Sequence, residues 1–118
     1  MNVKLGELKL AEKSLQEIGE LKLPPKSSIH IARMARKVKN ELNTLEEQRQ
    51  KLVKDIGVTD ESGNVKVPDE KMGEFIERMN EMMSVEVEVD VTPITEDMLG
   101  TVEVKPNDLM KLGPLFAS

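Results

Sequence analysis

The clearest pattern in the chain is a heptad stripe. Ile31, Ala35, Val38, Leu42, Leu45, Arg49, Leu52 and Ile56 follow one another at alternating steps of four and three, with one charge among apolar residues. That spacing is the signature of a helix with one narrow apolar seam. No Gly or Pro interrupts Ser27 to Ile56, and Pro24-Pro25 before it and Gly57 after it mark its ends. At about 1.5 Å per residue such a helix is about 45 Å long, more than a compact domain of this size is across. A narrow seam on so long a helix predicts a helical hairpin or a coiled coil between copies. Ile31, Val38, Leu42, Leu45, Arg49 and Leu52 are therefore the candidate interface residues, with Arg49 as a candidate setter of register.

Shorter signals flank this helix. Asn2–Leu5 alternates and reads as a weak edge strand; Leu8, Ala11, Leu15 and Ile18 place a helix over Glu7–Gly19. After Gly57, the turn chemistry of Asp60-Glu61-Ser62-Gly63-Asn64 lies between valines that can form a small ribbon. Met72, Phe75, Ile76, Met79 and Met83 then form the stripe of a helix returning antiparallel to the long one. Val85–Val91 alternates valine with carboxylate and is the cleanest strand pattern. Thr101–Lys105 repeats it more weakly, a helical turn covers Thr95–Leu99, and Asn107 is placed to cap a last helix carrying Leu109, Met110 and Leu112, followed by an apolar tail at Leu115-Phe116. The predicted class is α+β, a long helical hairpin packed on a small antiparallel sheet. One domain over 1–118 is expected: strand and short helix over 2–23, hairpin over 24–84, strands and a C-terminal helix over 85–118.

Charge adds a polarity that the net value of −5 conceals. Leu21–Asn40 carries six basic residues and no acid, whereas Asp69–Glu103 carries eleven acids and two bases. The overall negative charge argues against general nucleic-acid binding. Lys26, Arg33 and Lys37, with His30 between them, recur on one helical face near a helix start, where the helix dipole also favours anions. These four residues are the candidate anion-binding site. The competing expectation is that the basic block pairs with the acidic half.

Composition narrows the chemistry. Cys, Trp and Tyr are absent, His30 is the single imidazole, and Phe75 and Phe116 are the only aromatic residues. No disulfide, thiol nucleophile or Cys-bound zinc is possible. No catalytic spacing or Gly-rich phosphate loop is present, so no catalytic residue, metal ligand or cofactor is expected. Glu86, Glu88 and Asp90 share one strand face and are the only basis for a third reading, a metal-dependent enzyme. The six methionines from Met72 to Met110 fit core filling or an adaptable binding face. No stretch approaches the about 18 apolar residues that span a membrane, and the opening MNVKLGELKL lacks the apolar core of a signal peptide. A cytoplasmic protein without membrane association is expected.

The layout resembles a family of small proteins of unknown function encoded by tailed phages and prophages. The resemblance rests on the order of the long helix with ELNTLEEQRQKL, the acidic turn DESGNVKV, the Met-rich helix, VEVEVDVTPI and the closing NDLMKL. It implies a phage setting, in the infected or lysogenic cell or in the virion. The function expected from residues and resemblance together is a non-enzymatic, self-associating interaction protein with a phage or host protein as partner, in virion assembly or bound to a host factor. The alternative is an oligomeric binder that sequesters a small anionic nucleotide and so counters a host defence.

Overall fold

The computed structural model describes residues 1–117. Its spine is α2, Pro25–Ile56, a helix of 32 residues. Pro25 opens it at the first helical position, where no backbone N–H is needed. The molecule measures 53 × 29 × 22 Å, and its radius of gyration is 17.3 Å, against about 13.5 Å for a compact domain of this length. The elongation comes from α2, whose length at about 1.5 Å per residue nearly matches the long axis.

Two helices lie along this spine. α1, Leu5–Gly19, covers its first half, and α3, Met72–Met83, returns along its second half to complete the hairpin. A three-residue 3-10 turn, Asp69–Lys71, leads into α3. A ribbon of β2 (Val58–Thr59) and β3 (Val65–Lys66) makes the bend between α2 and α3. The bend is tight at Gly57, where an added Cβ would lie 2.7 Å from Val65 Cγ1. The end of α3 meets the start of α1 at Gly6, where a Cβ would lie 3.1 Å from the Met83 carbonyl oxygen. A small antiparallel sheet covers this junction. β1 (Asn2–Lys4) pairs with β4 (Glu86–Glu88), with Val3 opposite Val87.

From β4 the chain runs toward the start of α2. It forms β5 (Ile94–Thr95) and the short α4 (Glu96–Leu99), and then α5 (Pro106–Leu112), which packs on α1. Ser14, 1% exposed, donates from its hydroxyl to Asp108 Oδ1 at 3.2 Å, so the one polar side chain at the centre of that contact is satisfied. A 3-10 turn at Gly113–Leu115 leads to β6 (Phe116–Ala117), which pairs parallel with β5. One core runs from Val3 to Leu115 and joins α1, the first two-thirds of α2, and Val89, Ile94, Leu99, Leu112 and Leu115.

The structure corrects several expectations. The seam of α2 is filled by its own chain: Ile31, Val38, Leu42, Leu45 and Leu52 are all at most 6% exposed within a single copy. They hold α2 against α1 and α3 and are not free to form a coiled coil between copies. Within the alternating run Val85–Val91, three residues form the strand pair with β1, and backbone bonds from Leu5 N–H to the Val85 carbonyl at 3.0 Å and from Val89 N–H to the Met1 carbonyl at 2.8 Å flank them; Asp90 and Val91 lie outside the pair. The faces of the run follow the pattern nonetheless, with Val87 and Val89 turned inward and Glu86, Glu88 and Asp90 exposed. Thr101–Lys105 forms no strand. Pro106 opens α5 with Lys105 at the cap, in place of Asn107. The apolar tail Leu115-Phe116 is built into the fold: Leu115 is fully buried and Phe116 enters the parallel pair.

Candidate functional site

The start of α2 borders a cleft of about 550 Å³, lined by Lys26, Ser27, Ile29, His30, Arg33 and Met98. The cleft exists because α2 outruns its cover. On one face the helix has α1 and the core, while Met98 of α4 lines the cleft on the other and Asp90–Thr92 lies along that face further on. Lys26, His30, Arg33 and Lys37 recur at near-helical spacing on that second face.

The four predicted anion ligands divide into two pairs. His30 and Lys37 are engaged by the segment that leaves β4. His30 Nε2 lies 2.8 Å from the Thr92 carbonyl oxygen. A carbonyl only accepts, so Nε2 carries the proton and Nδ1 is left as the acceptor of the neutral ring. Lys37 Nζ donates to the Asp90 carbonyl and stands 3.9 Å from its carboxylate, which is fully solvent-exposed. Lys26 and Arg33, the other two, have no carboxylate within ion-pair distance among the described residues. Expected pairing between the basic block and the acidic half is thus confined to the Lys37–Asp90 contact.

Ser27 is the residue that the sequence did not single out. It is 8% exposed and lines the cleft between Lys26 and His30. Its hydroxyl has no hydrogen-bond partner among the described residues. No fully buried side-chain polar atom is left unpaired there either, so this hydroxyl is the part of Ser27 that solvent reaches. A serine at the third position of a helix is unremarkable in sequence; its burial beside Lys26 and Arg33 is visible only in the fold. The site therefore offers a guanidinium, an ammonium and a hydroxyl above an apolar wall of Ile29 and Met98. Charge-assisted donors of this kind suit phosphate or carboxylate oxygens.

The other candidate residues lie apart. Arg49, the charge in the seam, makes a two-pronged contact with Glu46 one turn earlier on α2: Nε to Oε2 at 2.9 Å and Nη2 to Oε1 at 2.7 Å. This bond holds the Glu46 carboxyl well below its ordinary range, at about 2, and pushes the Arg49 guanidinium up. Glu86 and Glu88 stand exposed on β4, and no three His, Cys, Asp or Glu side chains converge on one point among the described residues. No described helix is long and apolar enough to cross a membrane. No protein-family model, curated protein or solved structure matches the chain.

Proposed function

We propose that this protein is a non-enzymatic binding protein that captures a small organic anion in the cleft at the start of α2. One observation carries the reading: among the described residues Lys26 and Arg33 have no carboxylate within ion-pair distance, and they stand beside the buried Ser27 in a cleft of about 550 Å³. Small-ligand sites span roughly 300–1,000 Å³ and combine apolar walls with a few polar anchors. The anchors here match an anionic headgroup, and Ile29 and Met98 offer an apolar wall to the rest of the ligand. The resemblance to phage and prophage proteins gives the reading a setting in an infected or lysogenic cell. A binder without turnover acts there by sequestration, and a nucleotide is the ligand class of interest.

Titration calorimetry at near-physiological salt tests this with AMP, a cyclic mononucleotide, octanoate and inorganic phosphate. At least one organic anion should bind saturably. A charge-assisted bond is worth roughly 1.5–3 kcal/mol, so Arg33→Ala should weaken binding about tenfold or more with the melting temperature unchanged. Absence of binding to every probe, or binding indifferent to both Arg33→Ala and Lys26→Ala, contradicts the proposal.

A second reading, an interaction protein in virion assembly or on a host factor, draws support from the opposite end of the molecule. There α3 leaves Met72 and Ile76 exposed. A search for host or phage proteins retained by dilute, monomeric chain, and lost with Ile76→Glu, tests that reading; retention there would mean that this edge takes a partner other than a second copy.

A further inference from the structure

A groove of about 340 Å³ opens where α1, α2 and α3 meet, on a different part of the molecule from the anion cleft. Its floor is apolar, made by Leu42 and Leu45 of α2 and Met79 and Met83 of α3. The floor continues toward the tip of the hairpin. Met72, Ile76, Met79 and Met83 recur at steps of four, three and four, and Ile76 is 53% and Met72 37% exposed. The stripe on α3 thus has one edge against α2 and one edge open. Methionine repacks readily against a new surface, which suits a contact that forms and dissolves.

Charge selects the occupant. The rim carries Lys9 and Glu12 from α1 and Glu46 and Arg49 from α2, two cations and two anions. A strongly basic or acidic partner would meet as much repulsion as attraction. A two-fold contact between identical chains has a different requirement, since each surface must complement itself. The balanced rim meets it. The other charged surfaces do not: the start of α2 is basic, the outer face of β4 is acidic, and each would repel its own copy.

We infer that this groove is where a second copy of the chain docks as a two-fold pair. The methionine floors face each other, and Arg49 of each copy lies against Glu46 of the other. The bond between Glu46 and Arg49 within one chain holds both groups at the rim before contact, which lowers the cost of ordering them. The seam charge thereby acts in self-association through the rim of the groove, not through the buried coiled-coil face.

Sedimentation equilibrium from low to high micromolar protein tests the inference. The wild type should pass from monomer to dimer. Met79→Glu places a charge on the floor and should leave a folded monomer, judged by unchanged circular dichroism. Ile76→Glu alters a residue that is already exposed and reads the same surface if Met79→Glu fails to fold. Arg49→Glu and Glu46→Arg should each weaken the dimer by about tenfold or more. An equimolar mixture of those two variants restores both cross-pairs and should recover the dimer. A wild type that stays monomeric at high micromolar concentration would overturn the inference. So would a dimer that survives Ile76→Glu together with Met79→Glu, or a mixture that recovers nothing.

Discussion

α1 and α3 pack on the same helix, yet α1 buries six residues below 9% exposure and α3 buries none. Apolar content does not explain this. α3 has Met72, Phe75, Ile76, Met79, Met82 and Met83 among twelve residues, a denser supply than α1 has among fifteen. The difference is in what covers them. α1 is held between α2 and α5, with β1 and the turn after α5 at its edges, whereas α3 has α2 along one side and touches α1 only near its end. A helix with an apolar stripe reaches full burial when elements close on both sides of that stripe. The proximal half of this molecule meets that condition and the distal arm does not. The arm's open edge is the surface assigned above to a second copy.

The largest expected effect compares equivalent truncations on the two helices. Leu15→Ala removes a side chain 2% exposed and should cost roughly 2–5 kcal/mol in urea unfolding. Phe75→Ala removes a larger but half-buried side chain and should cost only about 1–2 kcal/mol. Equal losses would erase the distinction between the halves. Gly57→Ala comes next. The added methyl meets Val65 Cγ1 at 2.7 Å and the Val53 carbonyl, so about 1–3 kcal/mol of strain is expected. Amide shifts should move in β2 and β3 and leave α1 and α5 unaffected. Perturbation spreading into α1 would mean that the arm is as tightly built as the base.

The smallest effect is electrostatic. Glu46 has its folded-state pKa depressed from 4.5 to about 2, first by the Arg49 hydrogen bond. A depressed carboxyl contributes stability that is present above pH 4.5 and is lost as pH falls toward 2. The group is exposed, so the direct readout is its own NMR titration and not the melting temperature. Arg49→Gln should return the midpoint toward 4.5. A wild-type midpoint already near 4.5 would show that the bond does not persist in solution.

The helices were legible in the sequence because each carries its own stripe, and Gly57 and Pro25 mark the ends of the longest. What covers a stripe was not legible. The seam of α2 reads the same whether α1 or another copy lies on it, and the choice depends on how α1 folds back onto α2, which neither helix's own pattern encodes. The strands fared less well for a related reason. Alternation at Val85–Val91 identifies a face, but a ladder also needs an edge to pair with, and β1 supplies three residues. The parallel pair at Ile94 and Phe116 has no local signal, since two residues from each side suffice once Leu115 is anchored. At the candidate site, periodicity grouped Lys26, His30, Arg33 and Lys37 correctly on one face. It did not show that Thr92 and Asp90 engage two of them through backbone carbonyls, or that Ser27 lies buried between the others.

Native-state hydrogen exchange on dilute protein measures the contrast between the two halves most directly, because it reads the opening free energy of each helix separately. Amides of α1 from Leu8 to Ile18 should exchange only through global unfolding, while those of α3 from Phe75 to Met82 should exchange faster, through local opening of the arm. Raising the concentration into the range where pairs form should slow α3 and leave α1 unchanged. Equal protection of α1 and α3 in dilute protein would contradict a molecule with one closed half and one open arm.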